Sequence, residues 1–256
     1  MSGIIYGKWG EQFEEHQYKR HDFGTKMIMS DSVWVYAQMG ATVGVAGSLY
    51  QSEAVTANWN SKTVDTARAA GAEQISATLG GTATVQNEFD EGYVVIEDDA
   101  GEGYLYHIAR GWKDGDSNAK ASTGAVQTVN LRPGEKVQVA LTTATTLSFF
   151  KNKLDEVVVH PSPPNAAVVG VAMRAVSSPG GIGYYCWLQV KGPASVKADG
   201  TLVPGNGVRA AEGSADGAVA ALDYSESGRD EVPLGSVIDI GTDTEHAAID
   251  LDIPGY

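Results

Sequence analysis

Tyr184-Tyr185-Cys186-Trp187-Leu188-Gln189-Val190 is the stretch on which the fold turns. It is apolar at odd and even positions alike and rich in aromatic residues. It is also too short for a buried helix, so it reads as a strand covered on both faces. Ala167–Val176 has the same character. Around these two runs lie shorter ones: Ala194–Lys197, Thr201–Val203, Gly217–Leu222, Gly235–Ile240 and Glu245–Ile253. Asp199-Gly200 is a two-residue hairpin signal between neighbouring runs. The last run alternates, with Ala247, Ile249, Leu251 and Ile253 on one face and Ala248, Asp250 and Asp252 on the other. That is the pattern of a half-buried strand.

Upstream, His160-Pro161-Ser162-Pro163-Pro164-Asn165 continues neither a helix nor a central strand, because proline lacks the donor that both need. A domain boundary is expected there. Before it, Ser32–Gln38 reads as a strand, and Tyr93–Glu97 with Tyr104–Ala109 reads as a hairpin around the loop 98–103. Lys136–Leu141 alternates, with Val137, Val139 and Leu141 on one face. Lys62–Ala70 has helical composition, about two turns ending at Gly71. In residues 1–30, Trp9, Phe13, Tyr18 and Phe23 interleave with Lys8, Lys19, Arg20 and Lys26 with no clean period. This reads either as an arm that packs on another surface or as an irregular segment folded onto its own domain. The expected architecture is mainly β, in three parts. They are an N-terminal arm (1–30), a β-sandwich-like domain with one short helix (31–160), and a small acidic C-terminal β-barrel or sandwich (165–256).

The whole chain of 256 residues carries 18 basic and 32 acidic side chains, a net charge of −14. An acidic surface repels phosphate backbones, so nucleic acid is not an expected partner. From Ser195 to Tyr256 there are three basic and twelve acidic residues, whereas residues 1–30 balance at four each. The asymmetry reads as a well-solvated end, or as an outward-facing domain at one end and a neutral arm at the other. Cys186 is alone, so no intramolecular disulfide and no cysteine-based zinc site is expected. Lys8, Glu11, Glu14 and Glu15 stand where an export signal needs its apolar stretch, and no run of 18 apolar residues could span a membrane.

Motifs for chemistry are sparse. Asp114-Gly115-Asp116-Ser117-Asn118 begins like a calcium loop, but Ala119 and Ala125 replace its glycine and its bidentate glutamate. His16, His21, His107, His160 and His246 show no metal-ligand spacing. Gly181-Ile182-Gly183 lacks the third glycine of a dinucleotide fingerprint. Glu97, Asp98, Asp99 and Glu102 crowd one hairpin loop, where solvated carboxylates are the ordinary explanation and paired acids for glycoside hydrolysis the sharper one. No enzyme activity, cofactor or metal is expected.

The order of elements in the second half resembles the capsid cement, or decoration, proteins of tailed bacteriophages. It runs from Gly170-Val171-Ala172-Met173 to the aromatic strand Tyr184–Pro193, then Ala198-Asp199-Gly200, Gly205-Asn206-Gly207-Val208 and Gly217-Ala218-Val219. Pro233-Leu234-Gly235 and the alternating strand to Ile253 close it. The Gly92–Ala109 hairpin is similar to a segment of larger members. The resemblance spans Ala69 to Ile253 and rests on turns and strands. It leaves residues 1–68 without a counterpart in the shortest members. It implies a β-rich homotrimer made in the host cytoplasm and seated on the outer capsid surface of the virion, where it binds the major capsid protein at subunit contacts. In that role the arm would supply the interface, through Trp9, Phe13, Tyr18, Lys19, Arg20 and Phe23. Two other functions stay open. One is a head-fibre or glycan-binding protein stacking Trp59 or Trp112 on sugars; the other is a glycan-processing enzyme using the acidic loop.

Overall fold

The computed structural model describes residues 3–111, 121–163, 165–213, 215–223 and 231–256. In chain order the strands are β1 (Ile4–Tyr6), β2 (Glu15–His16), β3 (Lys26–Met29), β4 (Ser32–Gln38) and β5 (Leu49–Gln51). There follow β6 (Lys62–Thr63), β7 (Gln74–Thr78), β8 (Tyr93–Asp98), β9 (Leu105–His107), β10 (Val126–Asn130) and β11 (Thr146–Phe150). The last are β12 (Val158–Val159), β13 (Val168–Ala172), β14 (Tyr185–Lys197), β15 (Gly207–Ala210), β16 (Val219–Ala221), β17 (Gly235–Asp239) and β18 (His246–Asp252). The protein is mainly β, sandwich-like, with several sheets and no closed barrel.

The chain forms two compact units, Met1–Ala54 with Lys153–Tyr256, and Val55–Asn152. The division therefore runs at 54/55 and 152/153, and the proline-rich segment 161–164 does not mark it. The physical reason is that the chain on either side of that segment joins one sheet. β5 pairs with both β12 and β13. His160 is buried just before the prolines, its ring nitrogens each 2.8 Å from a backbone carbonyl, those of Pro161 and Ala218.

The first unit is organised by β14. Its first half pairs with β4 along one edge and with β2 and β13 along the other. From Lys191 onward it pairs with β18, and the sheet continues through β17 and β15 to β16. The change of partner occurs where the strand bends at Gly192, whose φ of +86° only glycine adopts without strain. Gln189, itself buried, braces the bend by donating from Nε2 to the carbonyls of Lys191 and Pro193. Burial on both faces accounts for the apolar run. Cys186, Leu188 and Val190 enter the main core with Val35, Val171 and Ile249, while Trp187 joins Met27, Trp34 and Tyr36 on the opposite face. Ala247, Ile249, Leu251 and Ile253 are buried, as their alternation predicts. Asp199-Gly200 does not close a hairpin between neighbours, because Ala194–Lys197 is the end of β14 and takes β18 as its partner.

Residues 1–30 belong to this unit and do not form a separate arm. β1 lies parallel to β3, β3 pairs with β4, and β2 borders β14. No period was visible because each piece is two to four residues long and pairs with a strand distant in sequence.

In the second unit a four-stranded sheet, β6-β11-β8-β9, and a two-stranded sheet, β7-β10, enclose a core. Phe89 stacks on Phe149 there and meets Trp59 edge-on. The predicted hairpin is present, with Val95 opposite Leu105. The predicted helix at Lys62–Ala70 is absent: Lys62–Thr63 is a strand, and Val64 and Arg68 make bridges to Ala77 and Leu141. β-Branched Thr63, Val64 and Thr66 favour extended backbone, and burying Val64 outweighs the weak helical composition. The only helical segments among the described residues are single 3-10 turns. Lys136–Leu141 forms only a bridge at Leu141, with Val137 and Leu141 buried and Val139 outside.

Candidate interaction surface

The N-terminal segment is held from below. Glu15 accepts hydrogen bonds from Ser177 N (2.7 Å) and Ser177 Oγ (2.9 Å), and also pairs with Arg174. Arg174 Nη1 in turn donates to Phe13 O. Arg20 N donates to Tyr36 Oη, and His21 packs edge-on against Tyr36 with its centroid 5.0 Å away and lies 5.3 Å from that of Trp187. Tyr36 also stacks on Tyr185. Burial pushes the Tyr36 hydroxyl up to about 12. Burial, followed by the nearby Arg20 charge, lowers the affinity of His16 and His21 for protons. Both effects follow from desolvation, which disfavours the charged form.

On this base the segment presents large apolar groups to solvent. Trp9 is 72% exposed, Tyr18 76% and Phe13 47%. Phe23 is different: it is buried at 6% in the main core, with Lys19 Nζ 3.2 Å above its ring. Of the six residues expected at an interface, Trp9, Phe13 and Tyr18 are therefore exposed, and Arg20 is exposed beside them in sequence. Phe23 and Lys19 act as the internal pin. Two further groups belong to the surface, Ile4 and Tyr6 at 63% and 85% exposure, on the outermost strand of the sheet order. Only the parallel pairing of β1 reveals them. Ile-Ile-Tyr in the sequence reads equally well as core.

Trp59 is buried against Phe89 and offers no face to a sugar. Trp112 and the segment Asp114–Asn118 lie outside the described residues. In the acidic hairpin loop, Asp99 accepts from Thr142 Oγ1 and Thr145 Oγ1, and these hydroxyls together with the Ala100 amide hold its carboxyl below the ordinary range. Glu97 is bonded to the hydroxyls of Ser61 and Ser148. Both carboxylates thus tie the hairpin to neighbouring segments. Cys186 is fully buried, and burial pushes its thiol up to about 12. Among the described residues no cluster of three or more His, Cys, Asp or Glu side chains is arranged to hold a metal ion, and no helix is long and apolar enough to cross a membrane. Comparison with protein-family models, with curated proteins and with solved structures gives no significant match.

Proposed function

We propose that the protein is a capsid cement protein of a tailed bacteriophage. In this reading it binds the outer surface of the head at contacts between major capsid subunits, works as a homotrimer and has no catalytic role. The observation that carries the proposal is the exposure of Phe13 and Tyr18 on a segment tied down through Glu15, Arg20 and Phe23. Large aromatics left in water on a segment bonded to the sheet are what a protein interface uses as anchors, with the neighbouring charges as rim. A clamp that binds only the assembled shell stabilises that state by mass action, and three linked copies bind the lattice with avidity.

The test is cosedimentation of purified protein with matched, undecorated capsids. A Phe13→Ser, Tyr18→Ser double variant should bind at least about tenfold more weakly, since a buried anchor is commonly worth about 2 kcal/mol or more. Wild-type protein that stays in the supernatant at saturating capsid would end the proposal.

A further inference from the structure

A pocket of about 300 Å³ opens on the first unit, floored by Ala210, Leu234 and Ile253 and edged by Ala167 and Val232. It is at the small end of ligand cavities, roughly 300–1,000 Å³, and so suits one aromatic side chain better than a cofactor. Its polar wall is Arg209 with two acids. Arg209 Nε lies 2.8 Å from Glu231 Oε1, an ion contact whose angle falls short of a hydrogen bond, and Nη1 lies 3.5 Å from Glu212 Oε2. Glu231 is occupied further, accepting from Asp223 N, whereas the Glu212 side chain is half exposed at the edge. The wall is net acidic by one charge, in the part of the chain where acids outnumber bases twelve to three.

The same molecule carries a matching group. Trp9 stands in a tight turn whose shape is set by bonds on both sides. Lys8 N donates to Glu11 Oε2, Glu11 N to Lys8 O, and Gly10, at φ +110°, donates to the buried Gln12. A backbone already set in its turn has less freedom to lose on docking. The adjacent Lys8 ammonium is exposed and has no ion pair among the described residues. The floor is apolar, as an indole requires, and the Lys8 charge is opposite to that of Glu212.

We propose that Trp9 of one copy seats in this pocket of a second copy, with Lys8 against Glu212. The donor and acceptor surfaces differ, so the contact is heterologous, and in the trimer of the reading above three such contacts close a ring. The inference rests on the self-association in the reading above and leaves Phe13 and Tyr18 for the shell.

Light scattering on the purified full chain, without capsids, tests it. The wild type should show three times the 26.9 kDa chain mass. Trp9→Ser should run as a monomer, as should Ala167→Trp, which fills the pocket from its exposed edge. Val232→Arg gives an independent block, and circular dichroism checks that each variant is folded. Because one variant keeps the pocket and the other keeps the tryptophan, an equimolar mixture of Trp9→Ser and Ala167→Trp should recover a 1:1 complex. A monomeric wild type, an oligomer that survives Trp9→Ser, or a mixture that fails to pair would each overturn the contact. Loss of capsid binding with the oligomer intact would instead count against the shell alone.

Discussion

His16 and His21 show how single residues register the packing of the N-terminal segment. Both bind protons less readily in the fold than their ordinary value of 6.5, first because they are buried and then because Arg20 is near. Below 6.5 the unfolded chain therefore takes up protons that the folded one refuses. Stability should be unaffected above that pH and fall as pH drops through the window beneath it. The first unit is expected to lose thermal stability between pH 7 and pH 5, and a His16→Gln, His21→Gln double variant should lose less over the same interval. Equal losses in the two proteins would show that other groups set the acid response. The sequence marks these histidines only as lacking metal spacing. Their aromatic surroundings come from strands far along the chain, Tyr36 on β4 and Trp187 on β14. Cys186 was legible, because a lone thiol inside an apolar run has no other place to go.

At the scale of elements, β14 decides the architecture and Gly192 decides β14. A Cβ at Gly192 would stand 2.6 Å from the Asp31 carbonyl oxygen and from Ser32 Oγ, at a backbone angle that side chains rarely adopt. Gly192→Ala should cost about 2–5 kcal/mol, adding left-handed strain to overpacking. Urea unfolding monitored by far-ultraviolet dichroism reads it, and a loss below about 1 kcal/mol would mean that the bend relaxes freely. The strands themselves were mostly legible from two-residue alternation and from runs apolar on both faces. What escaped was pairing. Nothing local distinguishes Ala194–Lys197 as the continuation of a bent strand from a separate one. Nor does composition show that Thr63 and Val64 sit on a sheet edge, where extended backbone and burial defeat a modest helical tendency. The interface residues divided for the same reason. Trp9 and Phe23 are equivalent as letters, but Phe23 packs into the main core and against Tyr185 while Trp9 stays outside.

For the whole molecule, the division into Met1–Ala54 with Lys153–Tyr256 and Val55–Asn152 has an energetic consequence. Each unit has its own buried core, one around Leu188 and Val171, the other around Phe89 and Phe149. Each also keeps its own sheets, since among the described residues every strand pairing stays within one unit. A chain with two separate cores is expected to unfold in two steps, because cooperativity follows shared core. Leu188→Ala and Phe149→Ala each remove a fully buried side chain, at a cost of about 2–5 and 3–5 kcal/mol. In scanning calorimetry the first should lower one transition and the second the other, each leaving its companion in place. If the protein melts in a single transition that both substitutions shift alike, the two cores fold as one. Residues 55–152 would then have to be treated as part of the same cooperative body that presents Trp9 and the pocket.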